Sequence, residues 1–255
     1  MESQLKTVQL SPSDFAFLYD ECPRCFWLKT AAPQRSYRPF TPLSGIFNKI
    51  DDAMKHAVEG RHFNDIDPSF PNCSVLKAGG FVQSMKIPFP DLNVELFIKG
   101  KYDTLTFEEA TDAIRQQYKL PDDQDRTYGV IDFKSTFVKP EHLLKYSRQL
   151  HAYAYSIMRP AEHMPKYSPV TRLGLLVFEP YADGFKFTQN EAVLGGGCQW
   201  VPIEMDKPMF TAFLREVAEL VARDTPPPAG HKCEFCSYLR EHGVEMEVAP
   251  EAPLV

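Results

Sequence analysis

Tyr128-Gly129-Val130-Ile131-Asp132-Phe133-Lys134 reads as a buried strand, because a short β-branched and aromatic run of this length fits an extended core segment. Side chains alternate faces along a strand, so Asp132 and Lys134 emerge on the same side. A carboxylate and an ammonium therefore share one patch of space, and a site is expected wherever the rest of the chain brings chemistry to that patch.

Two other stretches bring it. Ile98-Lys99-Gly100-Lys101-Tyr102-Asp103-Thr104-Leu105 is a second extended run and carries Asp103. In Gln149-Leu150-His151-Ala152-Tyr153, Gln149 and Tyr153 are four residues apart, one helical turn, on the flank of a stripe formed by Leu143, Leu150, Ala154 and Ile157. A carboxylate, then carboxylate-x-Lys, then Gln-x-x-x-Tyr, in this order, resembles the PD-(D/E)XK nuclease superfamily and its RecB-like branch, which includes exonuclease domains of helicase-nucleases and CRISPR-associated adaptation nucleases. The resemblance covers about residues 10 to 240, and Cys22-Pro23-Arg24-Cys25-Phe26-Trp27 resembles the opening of the RecB-like branch.

The resemblance implies an α/β fold with a restriction-endonuclease-like core, a mixed central sheet flanked by helices. It implies a metal-dependent DNA nuclease, an exonuclease on ends or single strands, with helicase, nuclease or CRISPR adaptation proteins as partners. Asp103, Asp132 and the backbone carbonyl of Phe133 would hold magnesium or manganese, Lys134 would orient the attacking water, and Gln149 and Tyr153 would position the strand. Members of the branch often carry a metal-binding His three residues after a Gly on an early helix. Here Gly45 is followed at that spacing by Asn48, with His56 two turns on. The alternative is a catalytically weakened nucleic-acid-binding or assembly module on the same fold.

Composition sets the outer bounds. With 255 residues, 44% hydrophobic and 24% charged, the chain can bury a full core as a single domain over residues 1–240, with 241–255 as a flexible tail. No run of eighteen apolar residues exists and the N-terminus lacks a signal-peptide pattern, so a cytoplasmic protein without a membrane partner is expected. A net charge of −6 argues against a general polyanion coat, although an acidic metal pocket beside a local basic strip is compatible with a nuclease.

The remaining segments are read in order. Ser11 and Pro12 open a short helix that Pro23 ends, and Ala32 to Pro42 form a connector. Residues 44 to 60 are helical, with Phe47, Ile50, Met54 and Val58 on one face and Asp51 among them, a carboxylate that on a buried face must be paired or bound to a cation and is a candidate third ligand of the metal. Residues 61 to 93 form a Pro- and Gly-rich insertion with a short strand near Gly80 to Lys86. Arg172 to Phe178 is a buried strand that Asp183-Gly184 turns into Phe185-Lys186-Phe187, and Pro208 opens a last amphipathic helix.

Four of the six cysteines form Cys-x-x-Cys pairs at Cys22/Cys25 and Cys233/Cys236. Four thiolates suit a 4Fe-4S iron-sulfur cluster, which is expected ahead of zinc, and a metal there would clip the start of the core to its end. Cys73 and Cys198 are expected to be buried thiols.

Overall fold

The computed structural model describes residues 5–33, 45–135 and 139–243. Strand β1 (Lys6–Leu10) leads into helix α1 (Pro12–Phe17) and helix α2 (Pro23–Ala31), followed by α3 (Gly45–Val58) and the single-turn α4 (Phe63–Ile66). Then come β2 (Ser74–Gln83), β3 (Ile87–Phe89), β4 (Val94–Glu109), α5 (Asp112–Tyr118), β5 (Arg126–Lys134) and α6 (Leu143–Met158). The chain ends with β6 (Val170–Phe187), β7 (Ala192–Ile203), α7 (Lys207–Val221) and α8 (Glu234–Glu241).

The seven strands form one mixed sheet in the order β1-β4-β5-β6-β7, with β2 and β3 also pairing with β4. The β1–β4 and β5–β6 pairs are parallel and the others antiparallel. The fold is α/β, a mixed sheet flanked by helices, as expected. Sixteen-residue β4 is its axis: its first half holds β1 and β3, and its second half holds β2 on one edge and β5 on the other.

Alternation along β5 divides the core. Val130 packs in a cluster with Leu105, Leu150 and Leu175 beneath α6. Ile131 and Phe133 face the other way, into a cluster with Val58, Phe63 and Phe70. Asp132 and Lys134 thus lie on the α6 face, as the period of two requires. A third cluster joins β1 and the first half of β4 to α1, α2 and α7, and includes all four paired cysteines.

Several local expectations are corrected. Pro23 does not end a helix but opens α2, because proline at the first helical position costs no hydrogen bond, and Cys22 is the N-cap. The strand expected near Gly80 to Lys86 starts earlier, as the ten-residue β2, which pairs along β4 as part of the sheet. Asp183-Gly184 lies within β6 at a register irregularity, and the hairpin closes later, where the Thr188 N–H donates to Glu191 O at 2.8 Å. Cys73 is buried but Cys198 is exposed.

On α3 only Val58 is buried, while Ile46 and Phe47 are exposed and Asp51 is half-buried. Most of the proposed Ala32–Pro42 connector, residue Ser44 and the end of the proposed tail lie outside the described residues; the tail's first residue, Glu241, is the last of α8. Among the described residues, no helix is long and apolar enough to cross a membrane.

Candidate active site and thiolate centre

The antiparallel β4–β5 ladder runs from Glu109↔Arg126 to Thr104↔Ile131. One further step would set Asp103 directly opposite Asp132. Two like charges on facing positions of one sheet face repel, and the ladder stops there. Instead of a backbone bond at this point, the Phe133 N–H donates to Asp103 Oδ2 at 2.8 Å.

Cations and an amide from β5, α6 and α3 close around this pair. Lys134 forms an ion pair with Asp132 Oδ2 and donates to Gln149 Oε1 at 3.3 Å. The Gln149 amide nitrogen in turn lies 3.4 Å from Asp132 Oδ1 and 3.3 Å from the Tyr153 hydroxyl. From α3, the Lys55 ammonium bridges Asp103 Oδ1 at 2.9 Å and Asp51 Oδ2 at 2.5 Å. The Lys134 side chain lies against the Tyr146 and Phe17 rings, 4.7 Å and 5.6 Å from their centroids.

The structure therefore brings Asp103, Asp132, Phe133, Lys134, Gln149 and Tyr153 together, and links Asp51 to them through Lys55. Asn48 and His56 lie on exposed positions of α3. Lys55 is the member that reading the sequence missed. Its signal was its place four residues after Asp51, the spacing at which helical side chains meet.

Electrostatic stress falls on Asp103. Burial, and then the Asp132 charge, push the Asp103 carboxyl up to about 6 against the opposing pull of Lys55 and the Phe133 N–H. Burial works against the Lys134 charge, but Asp132 outweighs it and holds the ammonium above its ordinary range. Lys55 behaves likewise, with burial opposed and exceeded by Asp103. Burial raises the Tyr153 phenol, so it stays protonated.

Whether a cation fits is read from the donors. Asp132 side-chain exposure is 4%, and its Oδ2 is paired with the Lys134 ammonium, while its Oδ1 lies 3.4 Å from the Gln149 amide nitrogen. The donor set of carboxylates and backbone oxygen is hard, which suits magnesium or manganese.

A second centre lies where the chain's beginning meets its end. Cys22, Cys25, Cys233 and Cys236 are all buried and free, with sulfurs mutually within 4.8 Å. Cys22–Cys236, Cys25–Cys233 and Cys25–Cys236 sulfurs are 3.7, 3.8 and 3.5 Å apart. Among the described residues this is the one group of three or more His, Cys, Asp or Glu side chains that closes this tightly, and it can bind a metal ion.

The N–H groups of Cys25 and Gly230 donate to Cys22 Sγ at 3.4 and 3.3 Å. Neighbouring Cys25 and these amides hold the Cys22 thiol well below its usual range, while Cys22 and burial push Cys25 up. Four thiolates cannot ionise together in a buried pocket without a cation among them. Residue 230 must be glycine for its backbone to come so close: a Cβ there would lie 2.2 Å from Glu21 O and 3.1 Å from Cys22 Cα.

No protein-family model matches the chain, and no curated protein matches it.

Proposed function

We propose that this protein is a divalent-metal-dependent DNA nuclease of the PD-(D/E)XK type, in its RecB-like form an exonuclease acting on ends or single strands. The observation that carries this reading is the Asp103 and Asp132 pair at the end of the β4–β5 ladder, with Lys134 and Gln149 alongside. Asp103, Asp132 and the Phe133 carbonyl would hold magnesium or manganese. Such an ion supplies electrophilic charge at a phosphate and lowers the pKa of water.

The chain's own groups do the rest. Lys134, at 12% side-chain exposure, presents a nearly dry point charge to the phosphate oxygens and orients the attacking water. Gln149 fixes that ammonium and Asp132 relative to each other through one amide, as supporting residues of metal sites do. Tyr153 holds Gln149 in turn.

One observation favours the alternative of a weakened binding or assembly module. The Lys55 ammonium already occupies Asp103 Oδ1 and competes there with any cation. One assay separates the two: end-labelled single- and double-stranded DNA is incubated with manganese and wild-type protein, Asp103→Ala or Lys134→Ala. The nuclease reading expects cleavage by wild type and a loss of at least a hundredfold in both variants. Equal residual cleavage in all three overturns it.

For the thiolate centre we read a single structural ion, zinc before an iron-sulfur cluster. Four sulfurs about 2.3 Å from one ion form a tetrahedron with edges of about 3.8 Å, and the three separations above lie at or just under that value. A cluster interposes several irons and sulfides and spreads its thiolates wider. Anaerobically purified protein is then colourless with one zinc per chain, whereas a brown preparation with iron establishes the cluster.

A further inference from the structure

We propose that Phe17 is a stacking platform that selects single-stranded DNA, holding one unpaired base beside the catalytic lysine. The inference rests on the nuclease reading and extends it to substrate class.

The geometry starts from an oddity. Phe17 ends α1, whose other aromatic residue, Phe15, is fully buried, yet Phe17 is 49% exposed. It packs edge-on against Tyr146, with centroids 6.1 Å apart and planes at 70°. Two ammoniums attend this ring. The Lys134 nitrogen is 5.6 Å from its centroid and the Lys145 nitrogen 5.8 Å. Lys145 also approaches Tyr146, at 5.4 Å, and the exposed Leu144 adjoins it on α6.

A lone exposed phenylalanine is ordinary. A half-exposed phenyl ring with the lysine of the proposed site and a second lysine within 6 Å of its centroid brings together the parts that single-strand binders use, where a base stacks on an aromatic ring and ammoniums move out to the flanking phosphates. Every base has such a face, so the contact is indifferent to sequence. Within a duplex the base faces are covered by their neighbours, so away from its ends Phe17 engages an unpaired nucleotide in preference to a paired one. With a net charge of −6 on the chain, attraction to the backbone is local, and stacking becomes a larger share of the binding.

The test compares wild type, Phe17→Ala, Phe17→Trp and the remote exposed Phe187→Ala. An oligodeoxynucleotide carrying 2-aminopurine, single-stranded or annealed to its complement, reports stacking by fluorescence quenching with calcium in place of manganese. Cleavage is measured in parallel with manganese. Phe17→Ala should lose about tenfold in single-strand affinity and kcat/KM, the cost of one stacked base, so that the preference for single strands over duplex falls by the same factor. Phe17→Trp should restore both, and Phe187→Ala should match wild type.

If wild type cleaves but Phe17→Ala treats single strands as wild type does, the platform falls and the nuclease reading stands. Equal losses on single strands and duplex also overturn the platform. If wild type quenches the probe and Phe17→Ala does not, while neither cleaves, the platform stands and the nuclease reading falls. No quenching by wild type overturns the platform whatever the cleavage.

Discussion

Replacing Asp103 with asparagine should stabilise this protein when no divalent ion is present. Holding a carboxyl at about 6 rather than near 3.8 means that the folded chain resists ionising it. At about 1.4 kcal/mol for each factor of ten in proton affinity, the difference is about 3 kcal/mol. Between pH 4 and 6 the folded state keeps a proton that the unfolded state has released, so stability falls as pH rises through that window. Above pH 6 the whole penalty is present.

The asparagine side chain would keep an acceptor for the Phe133 N–H and remove the charge facing Asp132, while Lys55 retains Asp51. In EDTA at pH 7.5, Asp103→Asn should melt several degrees above wild type, since about 1 kcal/mol is worth about 2–4 °C in a chain of this size. At pH 4 the difference should vanish. Manganese should then reverse the order: at a hundred times its dissociation constant it adds about 2.7 kcal/mol to wild type and little to the variant. Scanning calorimetry with and without metal reads all of this. An Asp103→Asn protein less stable than wild type at pH 7.5 in EDTA would refute the reasoning, because Asp103 would then be an ordinary partner of Lys55 rather than a strained cation ligand.

Three other outcomes follow from the same geometry. Lys55→Met removes the ammonium that competes for Asp103 Oδ1, so the manganese concentration giving half-maximal stabilisation should fall severalfold by titration calorimetry; an unchanged value means Lys55 is a bystander. Cys236→Ser should lose the bound metal and destabilise the fold by up to about 5 kcal/mol, the loop-entropy value for a link across the 211 residues between Cys25 and Cys236, as read by denaturant melts and metal analysis. Buried His151 accepts the Asp206 N–H at Nε2 and bonds Ser147 O through Nδ1, both at 2.8 Å, and burial lowers its pKa below the usual 6.5. The unfolded state therefore takes up the proton first, and stability should fall as pH drops below 6.5, by up to about 1.4 kcal/mol per pH unit. His151→Gln should flatten that slope in urea titrations.

What the sequence disclosed was periodic or ordered. The period of two in β5 placed Asp132 and Lys134 together, the four-residue step put Gln149 and Tyr153 on one flank of α6, and the paired cysteines pointed to each other across the core. What it hid depended on partners distant in sequence. β2 forms in a Gly- and Pro-rich segment because β4 offers it a long edge, not because of its own propensity. β7, with Gly195, Gly196 and Gly197, owes its strand to β6 in the same way. Asp183-Gly184 carries a strong turn signal, but pairing with β7 continues beyond it. Only the tertiary structure sets Phe17 beside Lys134 and Lys55 on Asp103.

The thiolate centre also fixes an order of events during synthesis. Asp103, Asp132, Lys134 and Gln149 all leave the ribosome before Cys233 and Cys236 exist, so the sheet can form around its opposed carboxylates while only two of the four sulfur ligands are available. Capture of a metal by all four cysteines would therefore come late, after every strand of the sheet has been made.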